Sequence, residues 1–327
     1  MSKLIYAILC CMSLHIAVDI GGTQMRAACY APDSLDPLKL KRIFTHDPHT
    51  TALERLQDLI ASVWPDVEPV AAIGVAAPGP LDPYKGILFS APNIPGWEEL
   101  HLRQHLEDRF KVPVALGNDA NLAALGEWHF GAGKGHHHMI YLTISTGIGS
   151  GIIVDDHLLL GQRGLAAELG HVTVLPNGPL CGCGRPGHLE ALASGTAIAD
   201  WVRTQIAEGA TSSQLRGAKL SAKMVAQAAG QGDQLATAAL ARAGSYIGQA
   251  LAGFLHSFNP SAVVFGGGVS QSGPFLFDPM RASLERYVMS PHYLKDLTMT
   301  TAVYGDQAGL VGALALARTH KFAYALE

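Results

Sequence analysis

Charged residues are scarce in this chain, and neither sign dominates. Asp, Glu, Lys and Arg together make up 15% of the 327 residues, and the formal net charge is −4. A protein that binds nucleic acid through its phosphates needs a basic excess, so the composition gives no electrostatic case for that class of partner. Hydrophobic residues make up 48% of the chain, which excludes a disordered protein and leaves ample core material.

Cysteine is also rare. Five cysteines at uneven spacings are too few to form a disulfide scaffold in a chain of this length. The length itself exceeds the comfortable size of one hydrophobic core, so we expect two lobes.

Long hydrophobic runs are lacking as well. The apolar run at residues 4–12 faintly resembles a signal peptide, but it is too short to cross a bilayer. Because a predicted strand already begins at Ile16, no room is left for a cleavage site. We therefore expect residues 1–15 to be a dispensable extension of a cytoplasmic protein that does not bind membranes. A secretory or lipoprotein signal is the alternative, and Cys10 and Cys11 would matter only in that case.

Two glycine turns stand out against this background, one at residues 16–23 and one at residues 142–151. Each pattern predicts an apolar strand, a tight glycine turn and a second strand. Glycine lets bare backbone N–H groups approach phosphate oxygens, and neighbouring Thr and Ser add hydroxyl donors. The first turn is not a P-loop, because no Gly-Lys-Ser/Thr ending and no helix follow it. Either turn alone would be an ordinary hairpin, but together they predict two clamps on one nucleotide.

Two aspartates accompany strand ends. Asp19 precedes the first turn, where a carboxylate could hold Mg²⁺ directly or through water. The strand at residues 112–118 ends at Asn118-Asp119 and opens a helix at residues 120–128, and strand ends of this kind point into ligand crevices. Asp119 is therefore a candidate general base for phosphoryl transfer. The alternative is that Asp119 caps the helix.

A metal site is predicted near the middle of the chain. His171, Cys181, Cys183 and His188 offer four donors in a short glycine-rich segment, which is typical of a tetrahedral structural Zn²⁺ site. Two reduced cysteines in a surface loop are the alternative. By contrast, the histidines at residues 136–138 read as a solvated turn and not as a metal site.

Helical patterns cover residues 98–110, 193–207, 233–258 and 306–318. Small Ala and Gly residues in the third of these would permit close helix contacts.

Taken in chain order, these motifs resemble the ROK family of sugar kinases, repressors and uncharacterised proteins. The resemblance covers the chain from about Ile16 to the last helix. It rests on six segments, namely Asp19–Thr23, Asn93–Trp97, Asn118–Asn121, Glu168–His171, the loop Cys181–Gly184 with Glu190, and Phe265–Val269.

The resemblance implies a fold. It is the two-lobed, actin-like and ribonuclease H-like α/β ATPase fold with an active-site cleft between the lobes. We expect a small lobe at residues 16–118, joined by the C-terminal segment 306–327, and a large lobe at residues 119–305 with the zinc loop. Homodimers or homotetramers are usual in the family.

The resemblance also implies an activity. The leading expectation is an ATP- and Mg²⁺-dependent hexose kinase of glucokinase type. Fructose, N-acetylmannosamine, N-acetylglucosamine or allose could replace glucose, since epimers differ by one hydroxyl. A sugar-sensing regulator without catalysis is a further alternative. DNA binding is disfavoured, because the residues before the first strand are fewer than a helix-turn-helix domain needs.

Site residues follow by resemblance, with Asp119 as the general base toward the sugar hydroxyl. The substrate-binding set is Gly79, Asn93, Asn118, Asp119, Glu168, His171 and Glu190. The ATP-binding set is Asp19, Gly21, Gly22, Thr23, Thr146, Gly147, Gly266 and Gly267.

Two positions depart from the family pattern. His188 stands where the zinc loop usually has a third cysteine, which keeps a ligand but changes its length and charge. Gln24 stands where many members carry Lys. Neutralisation of phosphate would then rely on Mg²⁺, Arg26 or the turn amides.

Overall fold

The computed structural model describes residues 13–91, 93–211, 214–215 and 219–319. Most of the predicted N-terminal extension, with Cys10 and Cys11, therefore lies outside the described residues. The chain forms two compact units. The first comprises the described residues up to Lys134, Leu158–Ala167 and those from Asp306 onward, and the second comprises Gly135–His157 and Glu168–Gly305.

A five-stranded sheet organises the first unit, with strand order β3-β2-β1-β4-β8. Its strands are β1 (Leu14–Ile20), β2 (Gln24–Tyr30), β3 (Pro37–Phe44), β4 (Val70–Ala77) and β8 (Val114–Asn118). Strands β1, β2 and β3 pair antiparallel, whereas β4 runs parallel to both β1 and β8. The predicted hairpin around the first glycine turn is thereby confirmed.

Helices cover both faces of this sheet. Helix α1 (Ala52–Val63) starts at a capping box in which Thr51 and Glu54 bond reciprocally, and it buries one apolar face in the core. On the other face, α3 (Asp119–Phe130) packs against α9 (Ala308–Thr319). A Cβ on Gly312 would collide with the Leu122 carbonyl, so these helix backbones approach as closely as glycine allows.

A small three-stranded sheet, β5 (Leu81–Asp82), β6 (Ile87–Ser90) and β7 (Glu98–Leu100), completes the unit with α2 (Leu102–Phe110). The helix expected over residues 98–110 is wrong in its first turn. Leu100 pairs with Leu88 across β6 and β7, and Glu99 has a φ of 49°, which no right-handed helix accepts.

The second unit repeats the strand order of the first. Its sheet runs β11-β10-β9-β12-β13, with β9 (Met139–Ile144), β10 (Ile148–Val154), β11 (His157–Leu158), β12 (Ala262–Gly266) and β13 (Thr298–Thr301). Strands β9 and β10 form the second predicted hairpin, and β12 runs parallel to β9 and β13. The same order in two sheets is the duplication that an actin-like fold requires.

Among its described residues, the second unit has the α-helices α4 (Leu189–Ala193), α5 (Gly195–Ala207), α6 (Ala222–Gly230), α7 (Gln234–Phe258) and α8 (Pro274–Tyr287). Asp233 caps α7 by accepting a hydrogen bond from Ala236 N–H at 2.9 Å. A Cβ on Gly244 or Gly248 would collide with α8, so the expected close helix contact is present.

The boundaries between the units differ from the expected division at residue 118. Helix α3 belongs to the first unit because its apolar face packs on α9. The segment 158–167 also belongs there, because Tyr84 Oη donates to the Gly161 carbonyl at 2.9 Å and Gly164 lies against Pro83. Across the described ranges, no helix is both long and apolar enough to cross a bilayer.

Candidate active site

The first glycine turn joins β1 to β2 in the first unit. Gly21 N–H donates to the Gln24 carbonyl at 2.9 Å and closes the turn. A Cβ on Gly22 would lie 2.7 Å from the Asn93 Cβ, so Asn93 packs directly on the turn. Asn93 is exposed there, which leaves its amide available to a ligand. The structure thus brings together a predicted phosphate-binding turn and a predicted sugar-binding residue.

Asp19 lies at the end of β1, beside this turn. Arg26 donates from Nε to Asp19 Oδ2 at 3.1 Å, and its terminal nitrogen contacts the same oxygen. A Cβ on Gly309 would lie 2.9 Å from Asp19 Oδ1, so the first turn of α9 also approaches this carboxylate. Because Arg26 is engaged by Asp19, Mg²⁺ and the turn amides are the remaining candidates for neutralising phosphate.

Asn118 and Asp119 lie where β8 meets α3. The Asn118 side-chain oxygen accepts hydrogen bonds from Ala120 N–H at 3.0 Å and Asn121 N–H at 3.2 Å, so Asn118 is the helix cap. Asp119 is the first helical residue, and its side chain is exposed. Asn118, and not Asp119, therefore occupies the capping position, although Asp119 Oδ1 also accepts from Ala120 N–H at 2.7 Å.

Gly79 lies beside the same strand end. A Cβ on Gly79 would lie 2.9 Å from Asn118 Nδ2. Glycine at this position keeps space around the amide nitrogen of Asn118, which is the end of that side chain not engaged in capping.

The second glycine turn joins β9 to β10 in the second unit. Ser145 N–H donates to the Gly147 carbonyl at 2.8 Å. The start of α5 braces the turn, because Thr196 Oγ1 donates to the Thr146 carbonyl at 2.9 Å and Gly195 N–H donates to the Ser145 carbonyl at 2.7 Å. Thr146 itself is exposed, so its hydroxyl can meet a ligand.

Glu190 reaches the same turn from the first turn of α4. Its Oε2 accepts a hydrogen bond from Ile148 N–H at 2.8 Å, and a Cβ on Gly147 would collide with that oxygen. The other carboxylate oxygen, Oε1, accepts from the Cys181 thiol at 3.5 Å. Glu190 therefore connects the second glycine turn with the cysteine loop.

Glu168 immediately precedes a single 3-10 turn, Leu169–His171, and His171 is the last residue of that turn. Ser150 on β10 fixes this turn, since its hydroxyl accepts from Leu169 N–H at 3.0 Å. Burial raises the pKa of Glu168 above its ordinary value. The nearby charge of Glu190 also raises this pKa, whereas His171 lowers it in part. Two acidic groups and an imidazole are thus close enough to influence one another.

The predicted metal ligands converge. One donor atom from each of His171, Cys181, Cys183 and His188 lies within 4.8 Å of the other three. Cys181 Sγ is 3.7 Å from His171 Nδ1, and Cys183 Sγ is 3.2 Å from His188 Nδ1. Tetrahedral Zn²⁺ with bonds of about 2.0 to 2.3 Å separates its donors by roughly 3.3 to 3.8 Å.

This donor set suits zinc chemically. Two sulfur and two imidazole donors are a usual structural combination, and His188 is placed where it could supply the fourth donor. Burial raises the pKa of the Cys181 thiol to about 11, and a bound cation would act in the opposite direction. Because the donor atoms lie within 4.8 Å of one another, small side-chain movements would bring all four to the tetrahedral spacing.

A third glycine turn, which contains the predicted ATP-binding residues Gly266 and Gly267, lies at the end of β12. Gly267 has a φ of 82°, which glycine accepts readily, and a Cβ on it would collide with the Ile144 carbonyl at the end of β9. A Cβ on Gly266 would collide with the Tyr141 hydroxyl. Both glycines therefore allow the turn to lie directly against the strand that carries the second glycine turn.

Comparison with known proteins identifies the family. A profile of the ROK family matches residues 15–320. The chain belongs to the ROK family. It is 38% identical over 306 residues to a glucokinase of Thermotoga maritima, covering 92% of this chain and 96% of that protein.

Two solved ROK structures are similar throughout. The ROK hexokinase of Thermus thermophilus is 33% identical with a TM-score of 0.80, covering 94% of this chain and 98% of its own. A ROK glucokinase of Streptomyces griseus, solved with glucose and AMPPNP, is 34% identical with a TM-score of 0.76, covering 94% and 100%. The actin-like ATPase fold expected from the ROK resemblance is confirmed.

The two units of this ROK protein divide the predicted residues. The first carries Asp19, Gly21, Gly22, Thr23, Gly79, Asn93, Asn118 and Asp119, and the second carries Thr146, Gly147, Glu168, His171, Cys181, Cys183, His188, Glu190, Gly266 and Gly267. Within each unit the contacts above bring neighbouring motifs together.

Sequence reasoning missed two buried hydroxyls that hold these motifs, Thr45 and Ser150. Thr45 follows an exposed edge strand and carries no motif. Ser150 had a weak signal, since it lies between two glycines that follow the second turn.

Proposed function

We propose that this ROK protein is an ATP-dependent hexokinase whose substrate is D-glucose. The observation that carries the proposal is the position of Asp119, an exposed residue where β8 meets α3, with Asn118 in the capping position. The same unit holds the first glycine turn. Support for glucose comes from the similarity to a glucokinase of Thermotoga maritima and to the glucokinase solved with glucose and AMPPNP.

The first unit would supply the base and part of the sugar site. Asp119 would accept the proton of the reacting hydroxyl. Because the Asn118 oxygen already accepts two helix N–H groups, Asn118 would act on the sugar as a donor through Nδ2. Asn93 would offer both a donor and an acceptor, and Gly79 would keep the Asn118 amide accessible.

The second unit carries its own residues suited to sugar hydroxyls. Glu168 and Glu190 would accept from paired sugar hydroxyls, which fixes a polyol in one orientation. His171 would bind zinc through one ring nitrogen and leave the other for the sugar. Zinc held by His171, Cys181, Cys183 and His188 would order this loop, with no part in the chemistry.

The glycine turns would hold the triphosphate. Backbone N–H groups of Gly21, Gly22 and Gly147, with the Thr23 and Thr146 hydroxyls, are suitable donors for phosphate oxygens. Gly266 and Gly267 would allow the adenosine end to approach the backbone. Asp19 is the residue placed to hold Mg²⁺, whose charge would help neutralise the phosphates.

The proposed reaction is a direct phosphoryl transfer. As Asp119 takes the proton, the sugar oxygen bonds to the γ-phosphorus and the bond from that phosphorus to the β,γ-bridging oxygen breaks. The products are glucose 6-phosphate and ADP, and the proton leaves Asp119 for solvent. Positioning of the hydroxyl in line with that bond is the main contribution of the surrounding residues.

The test is a coupled assay that measures ADP release in the presence of each hexose of a panel, with a reaction lacking sugar as the control. We expect glucose to give the highest kcat/KM among glucose, fructose, allose, N-acetylmannosamine and N-acetylglucosamine. Faster turnover of another hexose would overturn the assignment of glucose alone. Sugar binding without ADP release from any hexose would overturn the kinase proposal and favour a regulator.

We further propose that the chain forms a homodimer or homotetramer and binds no nucleic acid. The low net charge of −4 supports the second part. Light scattering on the eluting protein would measure the mass. A monomeric mass would contradict the proposed oligomer. Retention on a DNA column at physiological salt would contradict the absence of nucleic-acid binding.

A further inference from the structure

Thr45 is a fully buried polar residue that the proposed chemistry does not use. It follows the exposed edge strand β3 and has 0% of its surface accessible. A hydroxyl in such a position must be hydrogen-bonded, because burial of an unpaired polar group is costly. Its partners identify what it does.

Both hydrogen bonds of Thr45 go to the first glycine turn. Thr45 Oγ1 donates to the Gly21 carbonyl at 2.6 Å, and Thr45 N–H donates to the Thr23 carbonyl at 2.9 Å. These two carbonyls are two residues apart in the turn. Thr45 therefore holds the turn from outside the hairpin, in addition to the Gly21 to Gln24 bond that closes it.

The direction of these bonds orients the turn amides. A trans peptide points its carbonyl and its N–H in opposite directions, so a fixed Gly21 carbonyl aims the Gly22 N–H away from Thr45. The N–H groups of Gly22 and Thr23 donate to no acceptor within the described part of the chain. The Gly22 N–H, held in this way, and the adjacent Thr23 N–H form a site for phosphate oxygens.

Glycine alone would not keep this arrangement. Gly21 and Gly22 have wide conformational freedom, so an unsupported turn would lose entropy whenever it bound an anion. Asn93 restricts Gly22 on one side, and Thr45 fixes the carbonyls on the other. Binding of phosphate then requires less ordering, which increases affinity.

We propose that Thr45 is a positioning residue that pre-orients the amides of the first glycine turn for the phosphates of ATP. This inference rests on the proposed kinase function, and it names a residue that touches neither the sugar nor the nucleotide. The hydroxyl of Thr45 acts through the Gly21 carbonyl and thereby on the Gly22 N–H. Its loss should therefore weaken nucleotide binding and leave sugar binding unchanged.

Thr45→Val is the decisive variant, because it keeps the β-branched shape and removes the hydroxyl. We expect Mg·ATP affinity, measured by titration calorimetry, to fall about 5- to 30-fold, which is the effect of a lost buried hydrogen bond of one to two kcal/mol. The KM for ATP should rise in parallel while kcat changes little, since phosphate binding is common to ground and transition states. Glucose affinity should stay within about twofold.

Thr45→Ser is the matched control, because it retains the donor hydroxyl. It should bind Mg·ATP like the wild type. Wild-type affinity in Thr45→Val, or equal weakening in Thr45→Val and Thr45→Ser, would overturn the proposal. If Thr45→Val does not fold, Thr45→Ala removes the same hydroxyl without added bulk, and the same criteria apply to it.

The outcomes separate this inference from the kinase proposal. Wild-type protein that binds Mg·ATP but phosphorylates no hexose would overturn the kinase function, and the Thr45 comparison would still be decided by calorimetry. Full glucokinase activity with unchanged ATP affinity in Thr45→Val would overturn the role of Thr45 alone. Absence of Mg·ATP binding in the wild type would overturn both.

Discussion

Glu190 accepts a hydrogen bond from the backbone N–H of Ile148 at 2.8 Å, across 42 residues of sequence. Ile148 opens β10 immediately after the second glycine turn and is 3% exposed. A carboxylate predicted to bind sugar hydroxyls is thus also the acceptor for a buried amide next to the phosphate-binding turn. This contact joins two predicted functions in one side chain.

Glu190→Ala should therefore impair both substrates. It removes a sugar acceptor and leaves the Ile148 N–H unpaired in a buried position, which costs about 1 to 3 kcal/mol. We expect KM to rise about tenfold for glucose and for ATP. Initial-rate kinetics with each substrate varied in turn would measure this.

Glu190→Gln is the informative partner of that variant. Its side-chain oxygen can still accept from Ile148 N–H, so the KM for ATP should stay near the wild-type value while the KM for glucose rises. A normal ATP dependence in Glu190→Ala would show that the bond to Ile148 has no bearing on the turn.

Asp119→Asn should abolish turnover and preserve the fold. The amide is nearly isosteric but is not a base, and a positioned base contributes about 10²- to 10⁴-fold to rate. We expect kcat to fall by that factor, with glucose affinity retained in calorimetry. The melting temperature should change little, because Asn118 caps α3 and the side-chain oxygen of asparagine at position 119 can still accept from Ala120 N–H.

Asp108→Asn serves as the control for charge, since Asp108 is an exposed carboxylate on α2. It should leave kcat unaltered. Activity in Asp119→Asn equal to that of Asp108→Asn would remove Asp119 from the role of base.

Local sequence signals predicted those elements of the fold whose residues lie close together in the chain. Both glycine-turn hairpins and the long helix α7 were predictable, since turn residues and periodicity lie within a few positions of each other. The cysteine loop was predictable for the same reason. Its four donors lie within 18 residues, and the structure brings them within 4.8 Å.

Long-range relationships were not predictable from the pattern. Strand β7 forms because Leu100 pairs with Leu88, and nothing in the local sequence distinguishes it from a first helical turn. Helix α3 stays in the first unit because α9, nearly 200 residues later, packs on it. Asn118 caps α3, whereas the sequence pattern offered Asp119 as the cap, and Thr45 holds a turn 24 residues away. These facts depend on tertiary contacts.

Zinc should copurify with the protein at about one ion per chain, as expected for a four-ligand structural site. Cys181→Ser and Cys183→Ser should each lose the ion, because the hydroxyl of serine is a poor zinc ligand. Elemental analysis measures the content. Weakened glucose binding should accompany the loss, since His171 links the metal loop to the sugar site.

Two substitutions test the site without disabling it. His188→Cys restores a third cysteine to the loop and should retain zinc. Cys29→Ala removes a buried thiol outside the proposed metal site, and this variant should also retain zinc. Active wild-type protein without zinc would contradict the assignment, whatever the variants do.

The contact of α3 with α9 can be tested by a pair of Gly→Ala substitutions. A Cβ on Gly312 would collide with the Leu122 carbonyl, which belongs to the backbone and cannot rotate away, so the helices must separate. Overpacking of this kind costs about 1 to 3 kcal/mol.

Gly253 lies on α7, and a Cβ there would meet no atom within 4 Å. Gly253→Ala should instead stabilise the chain by about 0.5 to 1 kcal/mol through helix propensity. Denaturant unfolding should give a lower midpoint for Gly312→Ala and a higher one for Gly253→Ala, and an unchanged or higher midpoint for Gly312→Ala would contradict close backbone packing at Gly312.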